Sequence, residues 1–241
     1  DIIMCLDQCV SPNDGSEVIE QAMTRTHSWA LRCIQSHKNP GQALFGIVQG
    51  GISSKLREES ARFITDLNFP GYAIGGLAVG EPKDEMYRIV AFMDPLLPRG
   101  KPRYLMGVGS PEDLVQCVGR GIDLFDCALP TRVARNGAVF TPTGRVNLKS
   151  TRFRERKTPI DLDCDCYTCR DFSASYLHHL FKAKELLGLR LASIHNLSFI
   201  QRLMRRMRES IKNGTFHAFA KDFLETYRPT NELARLDQKN R

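Results

Sequence analysis

No run in the 241-residue sequence approaches the roughly 18 consecutive apolar residues that a membrane-spanning helix needs. No cationic segment followed by an apolar one marks it for secretion. Low-complexity stretches are missing, and the only internal repetition is a strand–helix unit. No G-x-G-x-x-G follows the first apolar strand, so the simplest signature of a dinucleotide-binding open sheet is lacking. These absences argue against a membrane protein and an open doubly wound sheet, and the lack of a secretory leader favours a reducing, cytoplasmic setting.

What is present is moderately basic. The formal charge is +7 and the pI about 9.1, a bias toward anionic partners that names none of them. There are eight cysteines. Cys5, Cys9, Cys33, Cys117 and Cys127 are scattered, whereas Cys164, Cys166 and Cys169 are clustered. For a large charged chain this distribution predicts free thiols and one metal site rather than a disulfide framework.

Taken in order, the chain alternates short apolar runs with amphipathic ones. Residues 2–6 (IIMCL) read as a strand buried on both faces, ending in Asp7, Gln8 and Cys9. Residues 11–16 (SPNDGS) form a turn. A helix is expected over 17–37, with apolar positions at Val18, Ile19, Ala22, Ala30 and Ile34. A strand over 43–48 ends in Gln49-Gly50-Gly51, and a helix over 54–67 follows, its inner face Leu56, Ser60, Phe63, Ile64 and Leu67. The strand at 72–74 leads into Gly75-Gly76-Leu77-Ala78-Val79-Gly80-Glu81, then a helix over 83–93. The strand at 103–106 ends in Gly107-Val108-Gly109. Ser110 is a natural N-cap before Pro111 and Asp113. The strand at 122–125 ends at Asp126.

Five strands separated by helices predict an α/β fold with a parallel sheet. Polar or glycine-rich ends on every strand favour a (β/α)8 TIM barrel, in which such ends converge on one site. Five strands do not close an eight-stranded barrel, and Asp1 leads straight into a strand. We therefore expect about three strands upstream. The expected division is residues 1–137 as the C-terminal part of the barrel, 138–196 as a basic zinc-binding subdomain, and 197–241 as a helical segment and tail. The second part is rich in Arg145, Lys149, Arg152, Arg154, Arg156 and Lys157. Helical pattern resumes from Ser173 to Leu187, and again from Ser193 or His195 toward Ile211, with Arg202, Arg205, Arg206 and Arg208 outward. From about Thr226 the tail is polar and expected to fray.

Two constellations carry chemistry. Cys164, Cys166 and Cys169 share one short loop, as thiolates wrapping a tetrahedral Zn2+ would. His195 is the preferred fourth ligand, with His178 and His179 as alternatives. Four protein ligands make the ion structural, one per chain; the competing reading is a redox or merely buried thiol group. The second constellation is the series of strand ends. Asp7 and Gln49 offer a carboxylate and an amide to the edge of a planar heterocycle, and the Gly76–Leu77 backbone adds further donors or acceptors. Met106 covers a ring face or simply fills the barrel. Asp126 is left for attack on an anomeric carbon, with Arg132 and Arg135 near enough in sequence to hold flanking phosphates.

Several stretches resemble the bacterial tRNA-guanine transglycosylases, the queuine tRNA-ribosyltransferase family. They are DIIMCLDQC at 1–9, FGIVQGG at 45–51, GYAIGGLAVGE at 71–81, RYLMGVGSPEDL at 103–114, DLFDCALPTRVARNG at 123–137, and CDCYTC with His195. The resemblance implies exchange of the wobble guanine in a tRNA anticodon for the 7-deazaguanine preQ1, in queuosine biosynthesis. It implies that Asp126 is the nucleophile, that Asp7, Gln49, Gly76, Leu77 and Met106 hold the base, and that Arg132 and Arg135 read the anticodon. It also implies zinc on Cys164, Cys166, Cys169 and His195, and a homodimer. Cys9 and Val79 resemble the bacterial form; the eukaryotic form is similar to GLSGG, with glycine in place of Val79 and room for queuine. Gln8 stands where bacterial members often carry Glu. The family's general acid/base aspartate and an aromatic stacked on the base are expected upstream of Asp1, so the chain as given is expected to turn over little. A noncatalytic zinc-stabilised RNA-binding subunit is the alternative from another class. A sugar-processing barrel hydrolase would leave the basic zinc segment without a purpose.

Overall fold

A computed structural model describes residues 1–11 and 13–229. The described chain divides into two compact units, one of residues 1–108 with 116–127, the other of residues 109–115 with the described residues from Ala128 onward. Among the described residues no helix is long and apolar enough to cross a membrane.

The first unit is built on a five-stranded parallel sheet. Its strands are β1 (Ile2–Met4), β2 (Ala43–Val48), β3 (Gly71–Ile74), β4 (Arg103–Leu105) and β5 (Leu124–Phe125), in sequential spatial order. The connecting helices are α1 (Ser16–Ser36), α2 (Ser54–Asp66), α3 (Lys83–Met93) and α4 (Pro111–Val118). All-parallel, consecutive pairing with a helix after each strand is the TIM-barrel repeat, and five of its eight strands are present. β3 is buried throughout and β2 from Leu44 onward, as continuous apolar runs should be. β1 differs from expectation: Ile2 and Ile3 are 51% and 41% exposed, because β1 stands at the sheet edge and pairs with β2 alone.

α1 starts and ends within one residue of the expected bounds. Ile19, Ala22, Met23, Thr26, His27 and Ala30 follow the 3.6-residue period; Val18 falls outside that stripe and is exposed, and Ile34 continues the stripe but is exposed in the last turn of the helix. α2 is capped by Ser53, whose Oγ accepts the Leu56 N–H at 3.4 Å. It buries Leu56, Arg57, Ser60, Ala61 and Ile64, where Phe63 and Leu67 were expected to share that face and are only partly covered. Ser110 precedes α4 and its carbonyl accepts the Leu114 N–H, but its hydroxyl is buried without a hydrogen-bond partner, so it does not cap through its side chain.

In the second unit the short α5 (Leu129–Arg135) leads to an antiparallel hairpin, β6 (Ala138–Thr141) and β7 (Gly144–Asn147). α6 (Tyr167–Asp171), α7 (Ala174–Lys182), α8 (Leu186–Lys212) and α9 (Phe216–Thr226) follow. The break between α7 and α8 lies at residues 183–185, earlier than the sequence pattern places it, and Lys184 turns the chain with φ +59°. α8 is therefore a single 27-residue helix that passes through both Ser193 and His195. Asn196 on α8 ties three segments together: its amide donates to Pro130 O at 2.9 Å and Ala138 O at 3.1 Å, and its oxygen accepts the Phe140 N–H at 2.9 Å. The sequence pattern did not reveal α9. Phe219 and Phe223 stack at 6.2 Å, and Phe223 stacks on the buried Tyr227 at 5.1 Å. The beginning of the expected frayed tail is thus anchored, with the Arg228 N–H donating to Thr143 O at 3.2 Å; the remainder of that stretch, from residue 230, lies outside the described residues.

α1 and α2 meet through a buried polar contact. His27 stacks on Phe63 with ring centroids 4.2 Å apart, and its Nε2 lies 3.0 Å from Ser60 Oγ. Ser60 Oγ accepts the Gln49 N–H at 3.1 Å and keeps its own proton to donate to Nε2 of a neutral imidazole. Burial lowers the His27 pKa from 6.5 to about 4. Between those values the unfolded chain binds the proton more readily. The stability that neutral His27 contributes is therefore complete above about pH 6.5 and is lost as pH falls toward about 4. Denaturant titration of the wild type and His27→Gln across this range should give stability curves that converge as pH falls; parallel curves would rule out this source of acid sensitivity.

Candidate functional site

At the C-terminal ends of β1, β2 and β3, three loops approach one another. Gln49 Nε2 donates to Asp7 Oδ2 at 2.6 Å, so the carboxylate and the amide expected to face a heterocycle lie side by side. The turn beyond β3 fits against them only because it lacks side chains. A Cβ at Gly75 would stand 2.6 Å from Gln49 Nε2 and 3.2 Å from Asp7 Oδ2. One at Gly76, whose φ is +66°, would collide with Gln49 Oε1. Leu77 is buried, and Val79 is 43% exposed. Cys9 is exposed as a residue. Partial burial of its sulfur, and next the Asp7 carboxylate, raise its thiol pKa, and the Gly76 backbone interacts with it. Gln8 turns aside: its oxygen accepts from Arg25 of α1 and its N–H donates to Thr26 Oγ1 at 3.0 Å.

The loop after Leu77 is held by a residue that sequence reasoning passed over. Glu81 accepts the N–H groups of Ala78 at 2.5 Å and Val79 at 3.1 Å, and Ala78 adopts φ +59°. An acid three residues beyond a strained backbone position is the signal that could have marked it.

Asp126 follows β5 and is exposed. One of its oxygens, Oδ1, accepts both the Tyr104 O–H at 2.6 Å and the Gly107 N–H at 2.8 Å. The two carboxylate oxygens are thus inequivalent: Oδ1 is anchored from β4 and its loop, and Oδ2 takes no part in those two hydrogen bonds. Burial first, then the hydrogen bond and charge of Asp126, raise the Tyr104 pKa, so it stays a donor. Tyr104 was also passed over, because an aromatic residue in a short strand reads as core. Met106 is half-buried at the end of β4, its N–H donating to Ile74 O at 3.3 Å.

Arg132 and Arg135 occupy the last turn of α5 and are exposed, where cations suit the helix C-terminus.

The metal centre lies in the second unit. The ligand atoms of Cys164, Cys166, Cys169 and His195 all fall within 4.8 Å of one another, and all four residues are buried. His195 Nδ1 lies 3.3 Å from Cys169 Sγ and 3.8 Å from both Cys164 Sγ and Cys166 Sγ. A tetrahedral zinc with ordinary Zn–S and Zn–N lengths separates sulfur from nitrogen by about 3.6 Å, so the donor set fits. His195 Nε2 is 2.7 Å from Phe140 O, which accepts its proton and leaves the Nδ1 lone pair for the ion. The alternatives fall away: His178 Nδ1 is 2.7 Å from Leu148 O, and His179 is exposed. Arg202 supports the centre from α8, donating to Asp161 Oδ2 at 2.8 Å and facing the Cys164 sulfur. None of the eight cysteines forms a disulfide. The site is a closed, structural zinc site.

A sequence profile described as queuine tRNA-ribosyltransferase matches residues 1–229. A protein of Dehalococcoides mccartyi strain BAV1 bearing that name is 52% identical over 241 residues, all of this chain and 62% of the relative. Relatives of the same name from Herpetosiphon aurantiacus and Staphylococcus aureus are 53% and 48% identical over 94% of this chain, covering 58% and 60% of their own lengths. The chain thus spans roughly three-fifths of the length of these relatives. Purified protein should carry about one zinc per chain, and His195→Ala or Cys169→Ser should lower metal content and thermal stability together. Metal analysis checks this, and full zinc occupancy in His195→Ala would remove His195 from the ligand set.

Proposed function

The chain belongs to the queuine tRNA-ribosyltransferase family, and we propose that the full-length protein exchanges the wobble guanine of tRNA anticodons for preQ1. One observation carries this reading: a carboxylate at a strand end with one oxygen anchored by Tyr104 and Gly107 and the other taking no part in those two hydrogen bonds. A nucleophile must be oriented without being neutralised, and anchoring at Oδ1 does that. In the proposed reaction Asp126 Oδ2 bonds to C1′ of the ribose as the C1′–N9 bond to guanine breaks. The incoming base then attacks C1′ through its own N9 and gives the N9 proton back to the general acid/base that protonated the departing guanine, as the C1′–Oδ2 bond breaks and releases the carboxylate. Guanine leaves poorly as an anion, so a general acid is required; the family resemblance supplies it as a second aspartate outside this chain.

Asp7 and Gln49 suit the edge of the purine, the Gly76–Leu77 backbone its substituents, and Met106 its face. Val79, with Cys9, would favour a small aminomethyl substituent over a bulkier one. Arg132 and Arg135, together with the basic stretch from Arg145 to Lys157, suit an anticodon stem-loop, and the family resemblance suggests a homodimer. In functional terms residues 1–137 carry the exchange, 138–196 the zinc-stapled basic segment, and 197–241 the C-terminal helical segment. Free thiolate ligands suit a cytoplasmic setting.

Asp126→Ala should lower guanine exchange by a thousandfold or more, on the order expected for loss of a nucleophile. The assay follows release of labelled guanine from tRNA by unlabelled preQ1 in the full-length protein. Exchange equal to wild type would reject the mechanism and leave a noncatalytic RNA-binding subunit as the reading. Tyr104→Phe should reduce kcat about tenfold through loss of one charge-assisted hydrogen bond while leaving KM for tRNA nearly unchanged. A loss confined to KM for tRNA would show that Tyr104 does not act through Asp126.

A further inference from the structure

α2 carries one cation on its buried stripe. Arg57 lies between Leu56 and the inward-facing Ser60, Ala61 and Ile64, and its side chain is wholly inaccessible to water. A buried guanidinium ordinarily faces a carboxylate. Arg57 instead gives its planar fork to three main-chain carbonyls. Nε donates to Gly51 O at 2.7 Å, Nη1 to Val48 O at 2.9 Å and Nη2 to Gly76 O at 3.3 Å. Burial lowers its pKa to about 10, against the opposing influence of Glu81 and Cys9, so it is charged at neutral pH.

Those carbonyls belong to the two loops that hold the base-reading groups. Val48 and Gly51 bracket Gln49, and Gly76 opens the turn after β3. The peptide between Gly76 and Leu77 is planar and trans, so fixing its carbonyl also fixes its N–H on the opposite side. Gln49 Oε1 packs directly against Gly76, so the side chain and the peptide move together. Three donors held in one plane can fix three acceptors at once. A lysine ammonium on a flexible stem supplies charge without that geometry.

We propose that Arg57 is a positioning residue for base recognition, clamping the Gln49–Gly51 turn and the Gly76–Leu77 peptide into one surface. The proposal deepens the transglycosylase reading and rests on it. It makes affinity for the base, rather than affinity for tRNA or the chemical step, the quantity that depends on Arg57.

The test is guanine exchange by the full-length protein and its Arg57→Lys and Arg57→Met variants, with KM for the base and KM for tRNA measured separately. Arg57→Met should raise KM for the base on the order of tenfold or more, and Arg57→Lys by less. KM for tRNA and kcat at saturating base should stay within about twofold. A base KM unchanged in both variants, or base and tRNA KM rising in parallel, overturns the proposal. So does failure of both variants to fold, which assigns Arg57 to stability alone. A wild-type protein that exchanges no guanine overturns the underlying reading instead, and that result is seen before any variant is compared.

Discussion

The parallel ladder from β1 to β5 imposes one constraint on everything around it: each strand must end, and its last carbonyls and N–H groups then need new partners. The chain meets that need with buried polar side chains and with glycines that let loops approach. Arg57 takes up carbonyls at Val48, Gly51 and Gly76. Ser60 takes up the Gln49 N–H. Leaving such groups buried and unpaired would cost about 1–3 kcal/mol each. The same residues that end the strands therefore hold the candidate site, and positional precision there follows from the fold's own hydrogen-bond requirements.

The two units reach their stability differently. The first packs Ile64, Tyr72, Ile74, Ile89, Met93 and Leu105 between helices and sheet. In the second, the zinc cysteines are part of the apolar cluster itself, beside Leu148, Phe153, Leu177 and Leu191. A two-stranded hairpin and the short α6 and α7 bury little surface by themselves, and a Cys3His centre supplies a cross-link between α6 and α8. His195 joins these devices, since its second nitrogen bonds the β6 carbonyl of Phe140.

Much of this was legible in the sequence because it depends on local pattern. Short apolar runs, each followed by glycine or an acid, located the strands, and helical periodicity located α1, α2 and α3. The Cys164–Cys169 spacing revealed the metal. What escaped depends on contacts between distant residues. An arginine on a helix ordinarily reads as surface, so Arg57 was missed although it sits three and four residues before Ser60 and Ala61. Tyr104 was passed over because its partner, Asp126, is 22 residues away. The break near Lys184 was hidden because nothing in its side chain announces a left-handed backbone. The apolar positions of α1 were legible, but its buried stripe also includes polar Thr26 and His27, whose partners lie on other elements.

The central claim is that Asp126 attacks the ribose, and peptide mapping tests it most directly. Full-length protein mixed with substrate tRNA and quenched in denaturant should yield a ribosyl–RNA adduct on the peptide spanning Gly121–Arg132, attached at Asp126 and lost in Asp126→Asn. An adduct on any other carboxylate, or one that persists in Asp126→Asn, would contradict the account.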